Sequence, residues 1–123
     1  GMYDYKTKTP LNSEDALLNG LAQTPGDRQN TTIACIITNA RLNKAEMNKL
    51  ASMAQNALAR TIRPVHTPSD GDTVFAMTTG KVDADLTAVS VLAVKALSEA
   101  IADAAKSAEA AYGLASWSSL QND

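Results

Sequence analysis

Asn30 and the two threonines that follow it, Thr31 and Thr32, open the apolar run at 33–37. A threonine hydroxyl is a candidate nucleophile. If the Asn30–Thr31 bond were cut, the new α-amine of Thr31 could serve as the general base for its own hydroxyl. A threonine at the start of a strand is also an ordinary β-former, and this is the structural alternative. This position before the apolar run makes Thr31 a candidate catalytic residue and Asn30–Thr31 a candidate autocleavage bond.

Two carboxylates, Asp70 and Asp72, flank Gly71 just before a second strand-like stretch. Aspartate and glycine both favour turns, so the triplet could serve only to reverse the chain. If the two strands are parallel neighbours, however, both turns lie at the same end of the sheet. Asp70 and Asp72 would then converge on Thr31, where they could orient it and handle protons.

His66 and Cys35 are the single histidine and the single cysteine of the chain. His66 lies in a proline-bounded loop and could be a base, although a lone histidine is more often a packed or hydrogen-bonded loop residue. Cys35 lies in the apolar run, which predicts a small core residue rather than a reactive thiol. Neither residue has companions at metal-ligand spacing, and no glycine-rich phosphate loop is present, so we predict no metal and no cofactor.

The elements that must position these residues follow a strand-helix-strand-helix order. The β-branched, nearly continuous apolar composition of 32–38 predicts a strand that is buried on both faces. Asn43 followed by Glu46 resembles a capping box, so we expect a helix to begin there and to end near Arg60. The second strand is predicted at 73–79.

A long alanine-rich helix is predicted after the second strand. Asp83 can cap this helix, which should run from Ala84 to about Tyr112 and end at Gly113. The fold class is therefore α/β (α+β). A two-stranded sheet is marginal and leaves both edges open, so further strands are expected from oligomerisation or from another chain.

Residues 1–30 are polar and broken by proline and glycine, which predicts an N-terminal arm in front of a domain at 31–123. Ser13 could cap a short helix in this arm that extends to Leu21. Gly1 before Met2 resembles the scar of a cleaved tag.

Charge and hydropathy disfavour several classes of partner. The net charge is -2 with interspersed signs and aromatic residues make up 4%, so nucleic acid is not expected as a partner. No stretch approaches the roughly 20 apolar residues that span a bilayer, and the polar opening lacks a signal-peptide pattern. We therefore expect a cytoplasmic protein without a membrane segment.

The segment 30–80 resembles the L-aminopeptidase/D-esterase family of DmpA-type self-processing peptidases. The strongest matching elements are NTT at 30–32, TNARL at 38–42, ARxIRPVH at 59–66 (x is any residue), DGDT at 70–73 and FA at 75–76. The resemblance covers most of the chain, although the alanine-rich helix is generic. The loop at 63–72 resembles these peptidases more than the related ornithine acetyltransferases, which also use a self-cleaving threonine.

The resemblance implies an N-terminal nucleophile hydrolase that releases N-terminal residues from peptides, amides or esters. It implies autocleavage at Asn30–Thr31 into an α chain and a β chain that begins with Thr31. Asp72 falls on the family's catalytic acidic position, and Asp70 falls more loosely on a supporting position. The family fold is an αββα sandwich built from both chains, and its αβ units form larger oligomers.

This chain departs from the family pattern before Thr31, where only a short segment stands in place of the long α chain. The family's substrate pocket and oxyanion donors come largely from that α chain. Loss of one oxyanion donor typically costs about 10²- to 10³-fold in rate, so we expect little activity from this chain alone. A homo-oligomer or a separate α-chain-like subunit is the expected partner. The alternative is an uncleaved, catalytically incomplete β-subunit-like domain that self-associates.

Overall fold

The structure is a computed structural model that describes residues 2–4, 6–20 and 31–120. Its elements in chain order are β1 (Met2–Asp4), β2 (Thr9–Leu11), α1 (Ser13–Leu18), β3 (Ile33–Ala40), α2 (Lys44–Thr61), β4 (Thr73–Val82), α3 (Leu86–Ser107) and α4 (Trp117–Leu120). This is a mixed α/β fold, and the predicted strand-helix-strand-helix order is confirmed.

The strands β3 and β4 are parallel neighbours, and α2 forms the crossover between them. Their register pairs Ile33 with Thr73 and continues to Thr38 opposite Thr78, with an irregularity before Ala40. Because the strands run in the same direction, the turns that precede them lie at the same end of the sheet. The condition under which the two turns lie together is therefore met.

The start of α2 is fixed by the predicted capping box. The Asn43 side chain accepts a hydrogen bond from the Glu46 amide at 3.0 Å, and the Glu46 carboxylate accepts one from the Asn43 amide at 2.8 Å. These two bonds satisfy two of the backbone amides that a helix start leaves unpaired. The helix ends at Thr61, one residue after the predicted end at Arg60.

The capping box gives a first testable prediction. We expect Asn43→Ala to lower the free energy of unfolding by about 1 kcal/mol, because the Glu46 amide loses its acceptor. Urea unfolding followed by circular dichroism measures the change. Asn48→Ala, at an exposed position within α2, is the matched control and should change stability much less. Equal effects of the two substitutions would contradict a specific role for the cap.

The core lies between α2, α3 and one face of the sheet. Leu50 and Leu58 of α2 are completely buried, and small residues between them allow close approach to α3. The buried core residues are Ile36, Leu50, Ala54, Ala57, Leu58, Val74, Ala93, Val94 and Leu97. Both packed helices therefore cover the sheet face that carries the even-numbered strand residues.

The opposite face of the sheet is open among the residues that the structure describes. Ile33 and Ile37 are each 71% exposed, Phe75 is 57% exposed and Met77 is 54% exposed. The prediction that the first strand is buried on both faces is therefore wrong for this chain, because both packed helices lie on the other side. Cys35 also lies on this open face and is exposed, so its assignment to the core is wrong as well.

The last long helix is shorter than predicted at both ends. Asp85, not Asp83, is the cap, and its carboxylate accepts a hydrogen bond from the Ala88 amide at 2.9 Å. Asp83 instead pairs with Arg41 at 3.0 Å on the surface. The helix stops at Ser107, and the exposed residues that follow it at 108–115 lack the packing that stabilises most helices.

The predicted helix end at Gly113 is therefore wrong. Gly113 has φ +80° and lies in a turn that is closed by a bridge between Ala111 and Leu114. Glycine suits this left-handed conformation, as the sequence predicts. Gly113 closes a turn, however, and does not end the helix.

The N-terminal segment contains a hairpin that the sequence did not indicate. Strands β1 and β2 pair antiparallel, and each has three residues, too few for an alternation pattern to stand out. Helix α1 begins at Ser13, but Asn12 is its cap and accepts from the Glu14 amide at 3.0 Å. Leu21 lies outside the described residues, and the domain boundary at residue 30 stays a prediction.

No helix in the described part of the chain is both long enough and apolar enough to cross a membrane.

Candidate active site

Asp72 joins the two strands at the end where Thr31 lies. Its Oδ1 accepts a hydrogen bond from the Thr32 backbone amide at 2.9 Å. Next to it, the Thr73 amide donates to the Thr32 carbonyl at 2.9 Å and begins the parallel ladder. Because Thr32 directly follows Thr31, the carboxylate fixes the backbone next to the candidate nucleophile.

His66 contacts the other oxygen of the same carboxylate. Its Nδ1 lies 3.0 Å from Asp72 Oδ2, and its backbone amide donates to that oxygen at 3.4 Å. The Asp72 side chain is only 7% exposed, whereas that of His66 is 40% exposed. Of the two alternatives for His66, the structure shows the hydrogen-bonded loop residue, and its partner is the predicted catalytic carboxylate.

The environment of Asp72 favours its charged form. Burial on its own raises the pKa of this carboxyl, but the hydrogen bonds from the Thr32 amide, the His66 amide and the Thr32 hydroxyl lower it, as does the charge of His66. The lowering outweighs the raising, so the pKa of Asp72 lies below its ordinary value. At neutral pH Asp72 is therefore an ionised acceptor of hydrogen bonds.

The lowered pKa of Asp72 predicts how stability depends on pH. The folded-state pKa lies below the unfolded value of about 3.9, so the contribution of Asp72 is fully present above that value. It is lost as pH falls through the folded-state pKa. Urea unfolding between pH 7 and pH 2.5 should show the stability advantage over Asp72→Asn shrinking below about pH 4. Asp103→Asn, at an exposed position of α3, is the control. An advantage that stays constant down to pH 2.5 would contradict this prediction.

Asp70 is engaged within its own turn. Its Oδ2 accepts a hydrogen bond from the Thr67 amide at 2.7 Å, and its amide donates to the Thr67 carbonyl at 3.0 Å. These bonds close the segment between Thr67 and Asp70. The structure therefore supports the turn-forming alternative for Asp70, while its catalytic role stays a prediction.

Thr31 is exposed, and its hydroxyl lies against Gly71. A Cβ atom added to Gly71 would lie 2.8 Å from Thr31 Oγ1, closer than a normal contact. A side chain at this position would therefore displace the Thr31 hydroxyl from the place it occupies. Asn30 lies outside the described residues, so the predicted cleavage of the Asn30–Thr31 bond stays a prediction.

The sequence predicts Thr31, Asp70 and Asp72 as site residues but does not predict the contact between His66 and Asp72. The available signal was a histidine six residues before an aspartate in a loop stiffened by Pro64 and Pro68. Among the described residues, no group of three or more His, Cys, Asp or Glu side chains could hold a metal ion.

This geometry defines a mixed α/β protein with a candidate hydroxyl nucleophile beside an anchored carboxylate. Residues 4–116 match the profile of Peptidase family S58, and because this is most of the 123 residues, the chain belongs to that family. The match confirms the resemblance to the L-aminopeptidase/D-esterase peptidases. The family is one of hydrolases.

Curated relatives carry the names of peptidases and amide hydrolases. The chain is 52% identical over 71 residues to an uncharacterized aminopeptidase of Mycobacterium leprae, covering 56% of this chain and 20% of that protein. It is 36% identical over 90 residues to a 6-aminohexanoate-oligomer endohydrolase of a Kocuria species, covering 63% and 25%. It is 57% identical over 53 residues to an uncharacterized aminopeptidase of Mycobacterium bovis, covering 43% and 15%. The chain spans a quarter or less of the length of these relatives.

Proposed function

We propose that this chain supplies the nucleophile of an N-terminal nucleophile hydrolase, an aminopeptidase, amidase or esterase that releases N-terminal residues. The observation that carries the proposal is the position of the Thr31 hydroxyl. The hydroxyl lies against Gly71, and the backbone amide of the next residue, Thr32, donates a hydrogen bond to Asp72. Membership of a hydrolase family supports the reaction class.

The proposed maturation is attack of the Thr31 hydroxyl on the carbonyl carbon of Asn30. The C–N bond to Thr31 breaks, a C–O ester bond forms, and the nitrogen becomes the free amine. Water then hydrolyses the ester, which leaves a carboxylate on Asn30 and an N-terminal Thr31. In turnover the amine takes the hydroxyl proton while the oxygen attacks the substrate carbonyl, and the proton passes to the leaving amine or alcohol. Water releases the acyl group from Thr31.

Asp72 contributes electrostatics and position to this proposed chemistry. As an ionised carboxylate it accepts from the Thr32 amide at 2.9 Å and so holds the residue that follows the nucleophile. Its negative charge, close to the Thr31 backbone, favours the ammonium that forms when the α-amine takes up the proton.

The open sheet face supports the proposal that further polypeptide completes the site. Ile33, Ile37, Phe75 and Met77 expose adjacent apolar side chains on it, and such contiguous apolar patches mark interaction surfaces. We propose that an α-chain-like polypeptide covers this face and brings the oxyanion donors and substrate pocket. A homo-oligomer, or a self-associating domain that stays uncleaved, is the alternative supported by the same exposed face.

Intact mass and activity test the proposal together. The chain is prepared alone and co-expressed with an α-chain-like polypeptide, and each sample is assayed on an aminoacyl p-nitroanilide. A product that begins at Thr31 and releases nitroaniline is expected in the co-expressed sample. An uncut chain without turnover in both samples would overturn the hydrolase proposal. Light scattering then tests the alternative, and a stable monomer would overturn self-association.

The close approach of Thr31 to Gly71 gives a further prediction for this function. We expect Gly71→Ala to lower kcat by about 10²-fold, because a displacement of roughly 1 Å at the reacting atom has that effect. The added methyl group must push the Thr31 hydroxyl aside. Ser69→Ala, at an exposed position of the same loop, is the control. Steady-state assays measure the change, and unchanged turnover in Gly71→Ala would show that the hydroxyl acts from another position.

A further inference from the structure

We propose that His66 is a positioning residue that holds the Asp72 carboxylate in the orientation that anchors Thr32. Its consequence for catalysis rests on the proposed function, whereas its effect on Asp72 can be measured without any activity. The proposal stands on the contacts of the carboxylate, on the backbone conformation of His66 and on the exposure of the two side chains.

The two oxygens of Asp72 are divided between two segments of the chain. Oδ1 accepts from the Thr32 amide at 2.9 Å, and Oδ2 accepts from the His66 amide at 3.4 Å and contacts His66 Nδ1 at 3.0 Å. The terminal torsion of an aspartate is broad, so contacts on one oxygen leave the carboxylate plane loosely defined. Contacts on both oxygens fix it. His66 thus supplies the contacts to Oδ2, while Oδ1 accepts the hydrogen bond from Thr32.

The backbone of His66 is adapted to this double contact. Its φ of +54° lies in the left-handed region, which residues other than glycine adopt infrequently, although histidine, asparagine and aspartate enter it more often than other side chains. In this conformation both its amide and its ring reach the same oxygen of Asp72. Strained backbone of this kind persists where surrounding interactions hold it. The contacts with Asp72 are such interactions.

The His66 ring also links a nearly buried carboxylate to solvent. The side chain of Asp72 is 7% exposed and that of His66 is 40% exposed. A neutral ring with its proton on Nδ1 and a protonated ring both donate to Asp72, so the contact does not depend on one charge state. Without the ring, the carboxylate would lose a donor and gain access to water. The hydrogen bond from the Thr32 amide to Asp72 would weaken, and the Thr31 hydroxyl would be less well positioned.

Three substitutions of His66 distinguish the contribution of its side-chain donor from that of its backbone conformation. Asparagine tolerates positive φ and places its amide nitrogen near the position of Nδ1, so His66→Asn keeps both features. His66→Gly keeps the backbone conformation and removes the donor. His66→Gln carries its amide one bond farther out and misplaces the donor, which provides a second test if the glycine variant does not fold. All three remove the imidazole ring.

The structural half of the proposal is tested by NMR on the full chain, labelled with ¹³C and ¹⁵N. In His66→Gly the Thr32 amide should exchange about tenfold faster than in the wild type, a factor that corresponds to one weakened hydrogen bond. The carboxyl carbon of Asp72 should titrate at higher pH. His66→Asn should stay close to the wild type in both readouts. Wild-type exchange and titration in both the glycine and glutamine variants would overturn the proposal.

The catalytic half is tested by steady-state kinetics of the cleaved enzyme, assembled with its α-chain-like partner. We expect His66→Gly to lower kcat by about 10²-fold through misplacement of the nucleophile, with KM nearly unchanged, and His66→Asn to recover most of the loss. Equal losses in the glycine and asparagine variants would overturn positioning by the donor. If the wild type itself shows no turnover, the proposed function fails, while the NMR comparison still decides whether His66 holds Asp72.

Discussion

Thr31→Ala should remain a single uncut chain and lose about 10⁶-fold in kcat when it is combined with an α-chain-like partner. The variant keeps no hydroxyl to attack the Asn30 carbonyl, and without cleavage no α-amine is freed to act as the base. Nucleophile and base are therefore lost together. Removal of a hydroxyl nucleophile from a well-characterised protease has an effect of this size. Intact mass follows the cleavage, and a p-nitroanilide assay follows the turnover.

Two control variants test whether the losses are specific to the Thr31 hydroxyl. Thr31→Ser keeps a hydroxyl at the same position, so it should still be cut and should retain measurable turnover. Thr87→Ala changes a threonine at an exposed position of α3 and should leave both readouts unchanged. If Thr31→Ala were processed at the wild-type rate, the nucleophile would have to lie elsewhere in the chain or in its partner.

Local signals in the sequence were sufficient for the elements that carry the site. The capping box at Asn43 and Glu46 is a short-range pattern, and its two bonds form as expected. The parallel pairing of β3 and β4 was a condition of the sequence argument, and the length of α2 is compatible with it, because parallel strands need a long crossover. The capping box depends on residues close in sequence, so it can be predicted without knowledge of distant contacts.

The burial of β3 on both faces is not predictable from composition alone, because an apolar strand can have one face open. Ile33, Ile37, Phe75 and Met77 have the composition of a strand with two covered faces, yet the described chain covers only one. Contiguous apolar residues on an open face are typical of interaction surfaces. Their presence is consistent with the proposed partner polypeptide.

The ends of α3 and the role of His66 depend on contacts that are distant in sequence. Asp83 and Asp85 are equally good caps by type. The Arg41 amide donates to the Val82 carbonyl at 2.6 Å, which extends the pairing of β4 past the predicted strand end and leaves Asp83 beside Arg41. The bond from His66 to Asp72 requires a left-handed residue within a loop. Neither result can be read from composition or spacing, because each depends on how a loop or strand end is folded.

The two carboxylates of the 70–72 turn should differ sharply in their importance for turnover. We expect Asp72→Asn to lower kcat by about 10⁴-fold, as happens when the orienting aspartate of a catalytic triad becomes asparagine. The side-chain oxygen of the new asparagine can still accept from Thr32, but its amide group would then face the His66 amide, donor against donor. The negative charge beside Thr31 is lost as well.

Asp70→Asn is the matched comparison, since it makes the same chemical change two residues away. Its oxygen can still accept from the Thr67 amide, the bond that Asp70 makes at 2.7 Å, and asparagine is as suited to turns as aspartate. We therefore expect turnover to stay within roughly tenfold of the wild type, the effect of one altered hydrogen bond. The kcat values of the two cleaved variants decide between the carboxylates. A larger loss in Asp70→Asn than in Asp72→Asn would make Asp70 the essential acid, and the contacts of Asp72 with Thr32 and His66 would then serve the fold alone.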